Sequence, residues 1–251
     1  MLTRRFTLAA LFVSAGLAVA WPAPAADFHV ENAVYIEGNA RPQSQGVTIF
    51  HDGLVYDFLT DPSEIIVFDK AHRRFELLDL TRRVRSEVSL DDVKAVVERA
   101  KQRLAGHSNP QFRWLGAPSF DEALDRDKSA LTMRSDSLTY EVQLLPAGPD
   151  VAVQYREFSD WYAQFNYVLN PGSRPPFARM KLNDALERNQ GIAKEVRLTA
   201  NFTANEPPQR ITSRHELAGQ LDSSDTKRLA DARDAMQSFR HVSLKEYMQK
   251  K

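Results

Sequence analysis

Between Phe28 and Leu80 the chain is a succession of short β-prone runs, each closed by a turn, and that rhythm commits this part of the protein to an antiparallel sheet. Phe28, Val30, Val34 and Ile36 fall near a two-residue period, and Val47 to Phe50 is rich in β-branched and aromatic side chains. Asp52-Gly53 follows, a pair suited to a tight two-residue hairpin, so Leu54 to Leu59 is the returning strand. Thr60-Asp61-Pro62-Ser63 makes the next turn, because Pro cannot donate to a ladder while Asp and Ser bond nearby backbone. Glu64 to Asp69 and Arg74 to Leu80 form a second hairpin around Lys70 to Arg73. Ile65, Ile66, Val67 and Phe68 in the one, and Phe75, Leu77, Leu78 and Leu80 in the other, are apolar on both faces. Such strands need cover on each side, most simply helices on one face and a ligand or loop on the other.

The helical signals start at Ser89, a capping residue followed by Asp91 and Asp92, whose carboxylates favour a helix N-terminus. Leu90, Val93, Val96, Val97, Ala100 and Leu104 make one stripe that stops before Gly106, which predicts a helix from Leu90 to Ala105. Pro110 and Pro118 mark a loop, after which Ala130 to Arg134 and Leu138 to Leu144 form a hairpin around Ser135-Asp136-Ser137. From about Val151 to Leu169, Tyr155, Phe158, Tyr162, Phe165 and Leu169 recur at three- and four-residue intervals, with Trp161 and Tyr167 beside them. That segment is a helix with a strongly aromatic face, stopped by Asn170-Pro171-Gly172. Ser173, Pro175 and Pro176 open the next helix, which runs through Ala178, Leu182 and Ala185 to Arg188. Glu195 to Phe202 and Arg210 to Leu217 are strands separated by Asn205-Glu206-Pro207-Pro208. Leu229, Ala232, Met236 and Phe239 share one stripe of a last long helix, and Ser243-Leu244-Lys245-Glu246 opens a short terminal one. Strands that resume after helices in this way predict an α+β fold, a curved antiparallel sheet with helices packed on one side.

Residues 1–25 stand apart. Arg4 and Arg5 precede an apolar stretch from Phe6 to Ala20 and a small-residue site at Ala23-Pro24-Ala25, the pattern of a secretory signal peptide. The apolar run is shorter than the ~20 residues that span a bilayer, and Pro22 and Pro24 follow it, so cleavage after Ala25 or Ala26 predicts a chain with no transmembrane segment. Thr3-Arg4-Arg5-Phe6 approaches a twin-arginine signal, but Phe6 sits one position early, and an ordinary basic n-region fits better. Without a cysteine the chain has no lipid-anchored N-terminal Cys, no disulfide, no thiolate metal site and no cysteine nucleophile. The remaining 26–251 hold no internal repeat, low-complexity tract or flexible linker, and predict a single domain in the periplasm or outside the cell. Removing Arg4 and Arg5 leaves 31 basic against 33 acidic residues, a formal charge of about −2. A near-neutral, mixed surface argues against nucleic acid as a partner. The densest basic stretch, Arg82-Arg83-Val84-Arg85, is flanked by Asp79 and Glu87 and reads as a solvated strand edge.

No stretch has convincing catalytic or metal-site spacing, and neither a metal nor a cofactor is expected. His215-Glu216-Leu217-Ala218-Gly219 begins like a zinc-protease motif, but Gly219 replaces the second His and the segment falls in a strand. Gly106-His107-Ser108 lacks the second glycine of a nucleophile elbow, so Ser108 is a capping or loop residue. Asp121, Glu122, Asp125 and Asp127 resemble a calcium loop in composition only, and an exposed helical turn explains them better. The six histidines never pair at ligand spacing. Glu157 and Asp160 share a helix face three residues apart and suit either an acid and base pair or a solvent face. What survives as a candidate ligand-binding set is the aromatic helix: Tyr155, Phe158, Trp161, Tyr162 and Phe165 could line a cavity for an acyl chain, a glycan or a peptide side chain. The same spacing would arise from packing on the sheet alone.

An exported leader, short strands with Asp-Gly and Asp-Pro turns, the run YDFLTDPSEIIVFDKAHRRFELLDLTRRVRSEVS and then an amphipathic helix resemble families of uncharacterised secreted bacterial proteins. More distantly, residues 28 to 105 resemble the periplasmic lipoprotein carriers of the LolA and LolB type. Those carriers curl an antiparallel sheet into a half-barrel closed by helices and hold acyl chains in its concavity. The resemblance rests on strand rhythm. This chain departs from it by starting with a strand after the leader and by carrying many charges among its strands, so no binding residue is carried over. Two functions are consistent with these observations. One is a non-enzymatic cell-envelope protein that binds an apolar or amphipathic ligand, a lipid or lipoprotein, or an envelope protein. The other is a periplasmic hydrolase with a site assembled from distant residues such as His215 and Glu157.

Overall fold

The computed structural model describes residues 27–202 and 207–249. The leader, and Asn205 and Glu206 of the turn at Asn205 to Pro208, lie outside the described residues. The first six strands, β1 (Phe28–Ile36), β2 (Ser44–His51), β3 (Leu54–Leu59), β4 (Glu64–Asp69), β5 (Arg74–Asp79) and β6 (Val84–Ser89), form a meander in which each pairs antiparallel with the next. Asp52 and Gly53 turn β2 into β3 with φ of 51° and 75°, the paired positive angles of a two-residue hairpin. The β4–β5 and β5–β6 loops share a different design. Asp69 accepts from the His72 amide at 3.0 Å and Asp79 from the Arg82 amide at 2.8 Å, and the residue after each donor, Arg73 or Arg83, takes φ of 55° or 52°.

Ser89 caps α1 (Leu90–Ala105), accepting from the Asp92 amide, and Leu90, Val93, Val97 and Ala100 are buried, as their stripe requires. The proline-marked loop that follows contains a short helix, α2 (Pro110–Gly116), with Asn109 rather than Ser108 as its cap. The acidic cluster is corrected more sharply. Asp121 to Asp125 is a strand, β7 (Asp121–Asp125), not a helical turn. Its hairpin to β8 (Ala130–Arg134) repeats the loop design above: Asp125 accepts from the Lys128 amide at 3.1 Å, and Ser129 has φ of 48°. β9 (Leu138–Pro146), α3 (Pro149–Leu169), α4 (Phe177–Arg188), β10 (Gly191–Ala200) and β11 (Gln209–Ala218) follow. The chain continues through α5 (Ser223–Ser238), β12 (Arg240–His241) and α6 (Leu244–Met248), the last capped by Ser243.

All 12 described strands join one open sheet in the order β12-β6-β5-β4-β3-β2-β1-β11-β10-β9-β8-β7. Only β12, parallel to β6, departs from antiparallel pairing. β11 lies on β1 and joins the first meander to the later strands. Phe50, Ile66, Phe68, Phe75 and Leu77 pack on one face with α1, α3 and α6, and the same face of β8 to β10 carries α4. The alternate residues Ile49, Tyr56, Ile65, Val67 and Leu78 meet Leu229, Ala232 and Ala235 of α5, and Phe239 just after it, on the opposite face. Helices therefore cover both faces of the first meander, and α5 departs from the expectation that they pack on one side. It covers the second apolar surface of β4 and β5, where a ligand or loop is expected from sequence.

Candidate functional site

α3 crosses the sheet with its aromatic face inward, and the five candidate residues divide between two environments. Phe165 is fully buried and stacks on Phe75 with ring centroids 4.2 Å apart. Trp161, partly buried, packs against the same core. These two belong to packing. Phe158 meets Phe50 edge-on at 5.6 Å and Tyr162 at 5.1 Å, and with Tyr155 and Tyr162 it walls a cavity of about 340 Å³ between α3, α4 and the sheet. Ser159, Ala163, Asn166 and Arg179 complete the helical wall, and Val34 and Leu59 add apolar surface.

The floor is a polar row that crosses four strands. Strand alternation turns Asp57 of β3, Thr48 of β2, Asn32 of β1 and His215 of β11 to the same face as the core residues Val30, Phe50 and Val55. Register then aligns them, because Asp57 stands opposite Thr48 and Asn32 opposite His215. Thr48 Oγ1 donates to Asp57 Oδ1 at 2.8 Å. Asn32 Nδ2 donates to Thr48 Oγ1 at 2.8 Å and to the Val30 carbonyl at 3.1 Å, and His215 Nδ1 lies 2.8 Å from Asn32 Oδ1. From above, the Tyr162 hydroxyl donates to Asp57 Oδ2 at 2.5 Å, tying α3 to the row. Gly46, on the same face of β2, has no room for a Cβ, which would stand 2.6 Å from the Phe58 carbonyl oxygen.

Burial dominates the electrostatics. It raises the Asp57 carboxyl above its usual range, with the hydrogen bonds from Tyr162 and Thr48 opposing. Burial, reinforced by the Asp57 charge, holds the Tyr162 hydroxyl well above that of a free tyrosine. His215 is pushed down to about 3, first by burial and then by the Arg179 charge, so at neutral pH its ring is uncharged. The row is a chain of hydroxyl, amide and imidazole groups that position a polar end; the walls offer aromatic surface to an apolar one.

The hydrolase candidates are not brought together. His215 has an amide as its partner, and Glu157 pairs with Lys70 at 2.8 Å. Asp160 is held by Asn183 and Arg156. Histidine–carboxylate pairs do exist, but in supporting positions: His29 meets Asp225 at 2.5 Å between β1 and α5, and His72 meets Asp69 at 2.7 Å within a hairpin loop. The HExx segment lies in β11, as its sequence implies. Among the described residues no group of three or more His, Asp or Glu side chains is placed to hold a metal ion. No described helix is long and apolar enough to cross a membrane.

No protein-family model and no curated protein matches the chain.

Sequence reasoning found one wall of the cavity and missed its floor. The available signal was a polar residue two positions from an inward apolar one: Asp57 between Val55 and Leu59, Thr48 two before Phe50, His215 two before Leu217. Strand alternation locates each of these, but the register that aligns them comes only with pairing.

Proposed function

We propose that this chain is an exported, non-enzymatic cell-envelope protein that binds a small amphipathic ligand between the concave face of a curved sheet and the α3–α4 pair. One observation carries the reading: a hydrogen-bonded polar row is laid across an otherwise apolar core face, directly under an aromatic wall and beside unfilled space. Replacing hydrogen-bonded buried partners by apolar side chains of the same shape is often neutral or stabilising, so a paired row of four has no advantage over Val and Leu as packing alone. As the floor of a pocket it orients a polar end, while Tyr155, Phe158, Leu59 and Val34 receive an apolar end. Export rests on the leader signals in residues 1–25, and an acyl-bearing ligand also agrees with the distant resemblance of residues 28 to 105 to the lipoprotein carriers.

The test is native mass spectrometry of the chain purified from the exported fraction, followed by organic extraction. A stoichiometric lipid or other amphiphile is expected on the wild-type protein and absent from Ala163→Trp, whose indole would fill the cavity without touching the Phe75–Phe165 stack. A wild-type chain that is bare and takes up no added amphiphile would remove this reading and leave binding of an envelope protein.

A further inference from the structure

The hydrogen bonds of the row fix which atoms carry protons. The Val30 carbonyl can only accept, so the Asn32 group 3.1 Å from it is the amide nitrogen, and Oδ1 is the atom that faces His215. Because Oδ1 can only accept, His215 Nδ1 is the donor at 2.8 Å. A neutral imidazole has one N–H, so Nε2 is a bare acceptor. His215 is only 8 % exposed, and its Nε2 is buried without a hydrogen-bond partner in the protein, so a donor in the cavity reaches it by displacing the side chains that cover it. Among the described residues that line the cavity, no other has a buried side-chain nitrogen or oxygen without one. Further along, Asn32 donates to Thr48 and Thr48 to Asp57, so every bond of the row points toward the carboxylate and leaves its acceptor end at Nε2.

We infer that the ligand's polar end donates a hydrogen bond, through a hydroxyl or an amide N–H, to Nε2 of His215. This rests on the amphiphile-binding reading above and narrows it to ligands with a proton to give. Ethers and esters, which present only lone pairs, meet Nε2 with a second acceptor and leave it unpaired. Discrimination by one buried hydrogen bond is on the order of tenfold in affinity.

The experiment compares 1-undecanol with decyl methyl ether by titration calorimetry, since these isomers have the same number of heavy atoms and differ in whether the head oxygen carries a proton to donate. Wild-type protein is expected to bind the alcohol about tenfold more tightly, and His215→Phe to bind the two alike. Nitrogen-detected NMR of the labelled wild-type protein gives a readout that does not depend on the variant folding: the unprotonated Nε2 signal of His215 should move with the alcohol and stay with the ether. Equal affinity for both probes and an unmoved Nε2 would overturn this inference, with that nitrogen left unpaired behind the cavity wall, and leave the amphipathic pocket standing. If neither probe binds, both readings fall.

Discussion

At the scale of single residues the polar row sets two opposing pH dependences. His215 titrates at about 3 in the folded protein against about 6.5 in an unfolded chain. Between those values the unfolded chain holds a proton that the folded one refuses, so this contribution to stability is complete above pH 6.5 and lost as the pH falls. Asp57 has the reverse sign. Burial raises its folded value, so its contribution is present below the carboxylate's ordinary range and lost as the pH rises through the raised value. Urea unfolding at pH 7 and pH 4 separates the two. His215→Gln, which keeps an amide donor for Asn32 and does not titrate, is expected to escape about 3 kcal/mol of the wild-type loss between those pH values. If the variant and the wild-type protein lose stability equally, His215 takes up its proton without unfolding, and the isolation of its ring is less complete than its burial implies.

Among elements, those stated most clearly by local signals were legible before folding. The strands from β3 to β5, the capped α1 and the aromatic α3 are set by alternation, by Ser89 and Gly106, and by aromatic spacing, all local signals. β7 and β12 were not, for physical reasons. The DEALD segment of β7 has no alternating apolar pattern because it is an exposed edge, and β12 has two residues whose only reason to be extended is the neighbouring β6. The side chosen by α5 was equally hidden, since a stripe says that a helix packs and not which face of a sheet receives it. Asp225 is what pins α5 in place. It is fully buried, lies 2.5 Å from His29 on β1, accepts from Arg228 at 3.0 Å and shares a capping box with Asp222. Asp225→Ala would remove the helix-terminal bond and leave His29 facing a void. A loss of about 3 kcal/mol or more in urea unfolding is expected, with faster proteolysis near α5, while Asp225→Asn should recover part of it. A loss below about 1 kcal/mol would show instead that Leu229, Ala232 and Phe239 hold α5 by packing alone.

For the molecule as a whole, the cavity sits on the seam between its two halves. The Asn32–His215 bond crosses from β1 to β11, and Tyr162 reaches down from α3 to Asp57, so the site exists only when the late strands have docked on the early meander. A sheet built this way has two open ends to protect. At one, β7 exposes Asp121, Glu122 and Asp125, charges that discourage pairing with another chain. At the other, β6 is covered by β12 and α6, and Val242 between them and Tyr247 of α6 enter the main core. Arg82 clamps this cover: it donates to the Tyr247 carbonyl at 2.6 Å, bonds Asp79 at 2.7 Å and lies 5.2 Å from the centre of the Tyr247 ring. Ending the chain at Phe239 therefore combines two injuries, and Tyr247→Ala inflicts only the first. The substitution empties a buried aromatic site and should cost about 3–5 kcal/mol while leaving the protein's association state unchanged, because β12 still pairs with β6. The truncation should cost at least as much and also bare the β6 edge, so light scattering should grow with protein concentration for that chain alone. Equal association in the two would place the aggregating surface in the exposed core; none in either would mean that the charges along Arg82 to Glu87 guard the β6 edge without help from the C-terminal cover.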